Sequence, residues 1–141
     1  MTISVHDNQL VSYEVECERR VITLRTEYRQ ENKPAEFTNV VFEGVQAYHL
    51  EDDAFGNIIF DVAELPVGQF LGEYGTELSE LQRMTGSPSW AKELTAAPEL
   101  MTDQGIKPFI LSSSLGLSGW ILAKELTFVR VASRDGRLSA G

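Results

Sequence analysis

Residues 66–86, PVGQFLGEYGTELSELQRMTG, are where the chain changes its period. Phe70, Tyr74, Leu78, Leu81 and Met84 recur at intervals of four, four, three and three, which sets them on one face of an α-helix. Gly72 and Gly75 weaken the first turns. The spacing therefore predicts a firm helix from about Thr76, as N-cap, to Gly86. Such a face needs a partner layer, and the flanking sequence supplies strands.

Upstream, Val11, Tyr13, Val15 and Cys17 alternate with Ser12, Glu14, Glu16 and Glu18, the two-residue period of a half-buried strand. On this phase Cys17 is expected to be a small buried hydrophobe. Arg19 and Arg20 mark a turn, and Ile22, Leu24, Thr26 and Tyr28 continue as a second strand until the polar stretch around Pro34. Residues 37–51 read as a long strand whose phase slips at Gly44, the signature of a β-bulge. The tip Glu51-Asp52-Asp53 with Gly56-Asn57 supplies turn chemistry, and Ile58, Ile59, Phe60 and Val62 form a returning strand. Residues 37–64 are thus expected to be one hairpin with an acidic loop.

Downstream, Ser87-Pro88 reads as an N-cap and first residue of a short helix through Trp90 and Leu94, stopped by Pro98. Strand character returns in 109–113, 120–123 and 126–131, with Lys124-Glu125 as a tight turn or a bulge. The order strands, helices, strands predicts an α+β fold, a mostly antiparallel sheet packed against one or two helices. Residues 1–132 form a single domain on this reading, and 133–141 a frayed tail.

Composition narrows the function. The 141 residues include one cysteine and carry a formal charge of −9. A lone cysteine, no basic apolar leader and no apolar run of membrane length point to a soluble cytoplasmic protein. Residues 1–64 hold 13 acidic and 5 basic side chains, so the charge is concentrated in the first half. That field repels phosphate backbones and attracts a basic partner. No zinc spacing, nucleophile elbow or phosphate-binding glycine loop is present, and His6 and His49 lie far apart. Neither cofactor nor metal is expected, and the chain reads as a non-enzyme. The alternative is a small ligand-binding domain or enzyme with a pocket between sheet and helices, using His49 and a carboxylate. Clustered carboxylates next to aromatics suit a protein interface better than hydrolysis. The partner-binding candidates are therefore Glu43, Tyr48, Glu51, Asp52, Asp53 and Phe55.

VVFEGVQAYHLEDDAFGNIIFDVAE, residues 40–64, and GWILAKEL, residues 119–126, resemble small bacterial polymorphic-toxin immunity proteins. The resemblance covers about a quarter of the chain. It implies a non-catalytic inhibitor that occludes a cognate toxin, and it brings no site residues of its own; the chain is separately expected to be a monomer or weak homodimer.

Overall fold

The computed structural model describes residues 4–133. The chain is α+β: β1 (Gln9–Glu16), β2 (Val21–Tyr28), β3 (Glu36–Glu43), β4 (Ala47–Glu51), β5 (Asn57–Glu64), α1 (Val67–Thr85), α2 (Ala97–Gln104), β6 (Lys107–Leu115), β7 (Ser118–Ala123) and β8 (Glu125–Val131). All the strand pairs are antiparallel, in the order β4-β7-β6-β5-β1-β2-β3-β8. The two ends of that order are not independent, because β3 runs on into β4 and β7 into β8. The ladder pairing Glu43 with Glu125 resumes as Ala47 with Leu122. Lys124 N–H donates to Glu43 O at 2.9 Å and Gln46 N–H to Leu122 O at 2.7 Å across the join. The sheet therefore returns on itself as a barrel, sealed between β1 and β5 by Gln9–Ile58 and Leu10–Asn57.

Gly44 is the bulge that the slipped phase of 37–51 requires. Its φ is +65°, and a Cβ there would lie 2.9 Å from Lys124 Cβ, so the bend needs both a left-handed residue and an absent side chain. Lys124 is the matching irregularity on the partner strand rather than a tight turn. The expected hairpin of 37–64 does not form. β4 pairs with β7, while β5 pairs with β6 and β1. Local turn chemistry favoured the hairpin, but Ala47 packs in a cluster with Trp120 and Leu122, and burying that face selects β7 as the neighbour.

Inside the barrel lie Leu10, Ile22, Leu24, Val40, Phe42, Ile59, Phe109, Leu111 and Ile121, all buried. Thr26 shares this inward phase, and its hydroxyl is satisfied by Asn8 Nδ2 at 2.9 Å and Thr38 O at 2.7 Å. A second core, built on Phe70, Leu78, Ala91, Met101, Ile106 and Trp120, joins α1 and α2 to the outer face of β4, β7 and β6. Among the described residues no helix is long and apolar enough to cross a membrane.

The helix begins at Val67, nine residues before the expected Thr76. Two interior glycines cost about 2 kcal/mol relative to alanine. Burial of Phe70, which is 0 % exposed, returns about 1.5–3 kcal/mol. Burial also revises the segment after Gly86. Ser89–Lys92 makes only a 3-10 turn, with Pro88 just ahead of it. Pro98 stops nothing; it sits in the first turn of α2, where its missing N–H has no helical partner to lose. Cys17 is exposed, not buried, because β1 ends at Glu16 and Cys17 lies just past it; the expected phase itself holds, with Tyr13 and Val15 opposite the buried Leu24 and Ile22. The expected tail lies, beyond Ser133, outside the described residues.

Along the α1 stripe, Phe70 and Leu78 are fully buried, Tyr74 and Leu81 pack at the edge of the second core, and Met84 is 76 % exposed. Leu78→Ala should then lower the unfolding free energy by about 2–5 kcal/mol, and Met84→Ala by under about 0.5 kcal/mol. Denaturant midpoints for the two variants measure both.

Candidate functional site

The connection between β4 and β5, residues 52–56, is a tightly bonded loop. Asp53 organises it: Oδ1 accepts from Phe55 N–H and Asn57 Nδ2, each at 2.8 Å, and Oδ2 accepts from the Tyr13 hydroxyl at 2.9 Å. Asn57 works in the other direction. Its Oδ1 accepts from Ala54 N–H at 2.9 Å and from Leu117 N–H at 2.8 Å, which ties the loop to the turn between β6 and β7. Gly116, at φ +93°, leaves the room; a Cβ there would run into the Asn57 side chain.

This network holds two non-glycine residues in the left-handed region, Asp52 at φ +65° and Phe55 at φ +61°. Each such conformation costs of order 1–2 kcal/mol. What the strained backbone presents is Phe55, 94 % exposed at the tip. A phenyl ring held in water by a rigid loop has the character of an interface anchor.

The six candidates from sequence separate into three places. Asp52, Asp53 and Phe55 do share the loop, and Glu51, the last residue of β4, adjoins it. Asp53 is occupied inside it, however, so its role is positioning rather than gripping a partner cation. Tyr48 is half-exposed on β4 and lines a groove of about 440 Å³ with Val15, Cys17, Val45, Ala47 and Leu81. Glu43 stands apart at the end of β3, between Val21 and Glu125 in the sheet. The structure adds Tyr13, and it adds Asn57, to which sequence reasoning gave a place in the turn but no partner-binding role. Asn57 carried a faint signal, a side-chain amide four residues after Asp53 and next to Gly56. Tyr13 carried none, being distant in sequence.

His49 lies on the helix-facing side of β4. It stacks on Trp120 with ring centroids 6.3 Å apart at 26°, and its Nε2 is 3.4 Å from Glu51 Oε2. Trp120 Nε1–H donates to Glu77 at 2.7 Å. With Tyr74, Ser112 and Ser118 these side chains line an open cleft of about 240 Å³ between the sheet and α1. Glu51 belongs to both the cleft and the start of the loop.

The bonds within the loop displace two pKa values. Donation from Asn57, from Phe55 N–H and from Tyr13 stabilises the Asp53 carboxylate and holds it below its ordinary 3.8. The same bond to Asp53, with partial desolvation and the negative charge beside it, raises the Tyr13 hydroxyl above 10.0. Comparison with protein-family models, curated proteins and solved structures returns no match for this chain.

The signs of the two shifts define a pH window. A depressed carboxylate contributes its stability above pH 3.8 and loses it as pH falls through the folded value. A raised phenol contributes below pH 10.0 and loses it as pH rises through the folded value. The loop should therefore hold Phe55 fixed between these limits and release it in acid. Backbone amide NMR of Phe55 against pH measures this, and Asn57→Ala should give the acid-like spectrum already at pH 7 while the barrel signals stay in place.

Proposed function

We propose that this chain is a non-enzymatic binding protein, an immunity-type inhibitor that neutralises a cognate bacterial toxin in the cytoplasm by covering its active or substrate-binding surface. The observation that carries the reading is Phe55, a fully exposed aromatic on a loop whose strained backbone is fixed by Asp53 and Asn57. Residues 34–82 add the electrostatic half. They contain ten acidic side chains and no lysine or arginine, with Glu51 and Asp52 at the loop itself, a charge that favours a basic groove such as nucleic-acid-directed toxins need. The resemblance of residues 40–64 to immunity proteins supports the same reading.

In this mechanism Glu51 and Asp52 steer the encounter and Phe55 anchors it. Screening shortens the reach of such steering to about 8 Å at physiological ionic strength, so added salt slows association. The cleft around His49 favours the second reading, a small ligand-binding domain or enzyme, because it lies between the sheet and α1 with an imidazole and two carboxylates on its walls.

One experiment separates the two. The reading frame adjacent to this gene is expressed with and without the chain, and colony formation and complex formation are scored. The inhibitor reading expects a toxic neighbour, protection by the parent chain, at least ~10-fold weaker binding by Phe55→Ala (about 1.4 kcal/mol) and full protection by His49→Ala. A harmless, unbound neighbour sinks the inhibitor reading. Protection lost with His49→Ala but kept with Phe55→Ala transfers function to the cleft.

A further inference from the structure

On β5 the consecutive apolar residues Ile58, Ile59 and Phe60 cannot all face inward, since a strand sends alternate side chains to opposite faces. Ile59 takes the core at 0 % exposure, and Ile58 and Phe60 are left outside at 37 % and 52 %. Leu115, opposite Ile58 in the ladder with β6, is 53 % exposed. His6 packs edge-on against Phe60 at 5.2 Å and its Nδ1 is 2.8 Å from Phe60 O, and Phe60 still keeps 52 % of its surface in water. The two helices pack on the outer face built from β4, β7 and β6, where Trp120, Leu122 and Ile110 lie. Ile58, Phe60 and Leu115 belong to neither core cluster.

We propose that this outward face, Ile58, Phe60 and Leu115, continues the contact begun by Phe55, and that its occupant is a protein surface with an apolar ridge bordered by lysine and arginine. The inference rests on the binding-protein reading above and extends it to residues which that reading does not include. Charge complementarity selects the occupant. The strip is flanked along the chain by Asp52, Asp61 and Glu64, within a 49-residue stretch, 34–82, that lacks any lysine or arginine. Arg29, which shares a hollow with Ile58, is held by both Glu27 carboxylate oxygens at 3.0 Å. A second copy of this chain fits poorly, because an isologous contact would set the same acidic rim against itself. An apolar centre inside a charged rim is the ordinary anatomy of a protein–protein contact.

The test uses the full chain and three synthetic helical peptides, with binding followed by amide NMR titration. One peptide is amphipathic with leucine and lysine faces, one carries the same lysines with serine in place of leucine, and one replaces the lysines by glutamate. The leucine–lysine peptide should bind at least ~10-fold more tightly than the serine–lysine peptide, with the largest shifts at residues 58, 60 and 115. The leucine–glutamate peptide should not bind. In the triple variant Ile58→Ser, Phe60→Ser, Leu115→Ser the preference for leucine should vanish while charge-driven binding persists; Leu115→Ser alone, with a reduced preference, serves if the triple variant fails to fold. Equal affinity for the two lysine peptides, or shifts centred elsewhere, overturns the proposal. So does a dimer in sedimentation that the triple variant abolishes, since the occupant would then be a second copy. Failure of the adjacent gene product to bind, with the peptide result intact, removes the inhibitor reading and leaves the surface standing.

Discussion

Two strands of this chain are long enough to serve both ends of the sheet, and the structure depends on their bending together at one place. Gly44 on the β3–β4 strand and Lys124 on the β7–β8 strand form a matched irregularity. The left-handed glycine makes the turn, and the lysine side chain occupies the space where a Cβ would stand. Without that bend the sheet would be open, with β4 and β8 as exposed edges and one apolar face in need of a cover. With it, the inward positions of every strand face one another, and the apolar side chains of β2, β3, β5, β6 and β7 fill a common interior.

Closure also explains why only part of the outer surface needs helices. A barrel buries one face of each strand by itself, so α1 and α2 have to cover only those outward positions that are apolar, around Trp120, Leu122 and Ile110. At the start of β5 the outward positions are again apolar, yet the loop over that end is built to display a phenyl ring. Asp53 and Asn57 spend their hydrogen bonds on backbone N–H groups and on each other, and so hold a geometry that the chain would otherwise leave. Stability of that kind, directed to keeping an aromatic in water, makes physical sense for a surface that meets another protein.

Much of this was legible in the residues, and the failures have a common cause. The strands at 21–28 and 107–131, the bulge at Gly44, the stripe through Phe70, Leu78 and Leu81 and the left-handed stop at Gly86 follow from period and from glycine chemistry. Strand pairing did not follow. Residues 37–64 carry the local signals of a hairpin, but β4 and β5 lie on different neighbours because Ala47 is buried with Trp120, some seventy residues away in sequence. Cys17 was misjudged because the strand whose phase it shares ends one residue earlier, at Glu16, while Tyr13 and Val15 keep that phase. The early start of α1 was hidden by Gly72 and Gly75, whose local preference burial outweighs, and α2 by Pro98, which opens a helix as readily as it ends one.

The candidate site divides along the same line. Its acidity, the turn at 51–57 and the aromatic at its tip are properties of the chain, fixed by which side chains occur and by their neighbours in sequence. The sequence also determined that Ile58, Ile59 and Phe60 could not all be buried in a strand. Which of them would be left in water, that Asp53 would be used up by Tyr13 and Asn57, and that Glu43 would stand apart from the loop were decided only when the sheet closed. Those outcomes depend on contacts between distant segments, and burial of apolar surface is non-directional along the chain, so no local pattern encodes its partners.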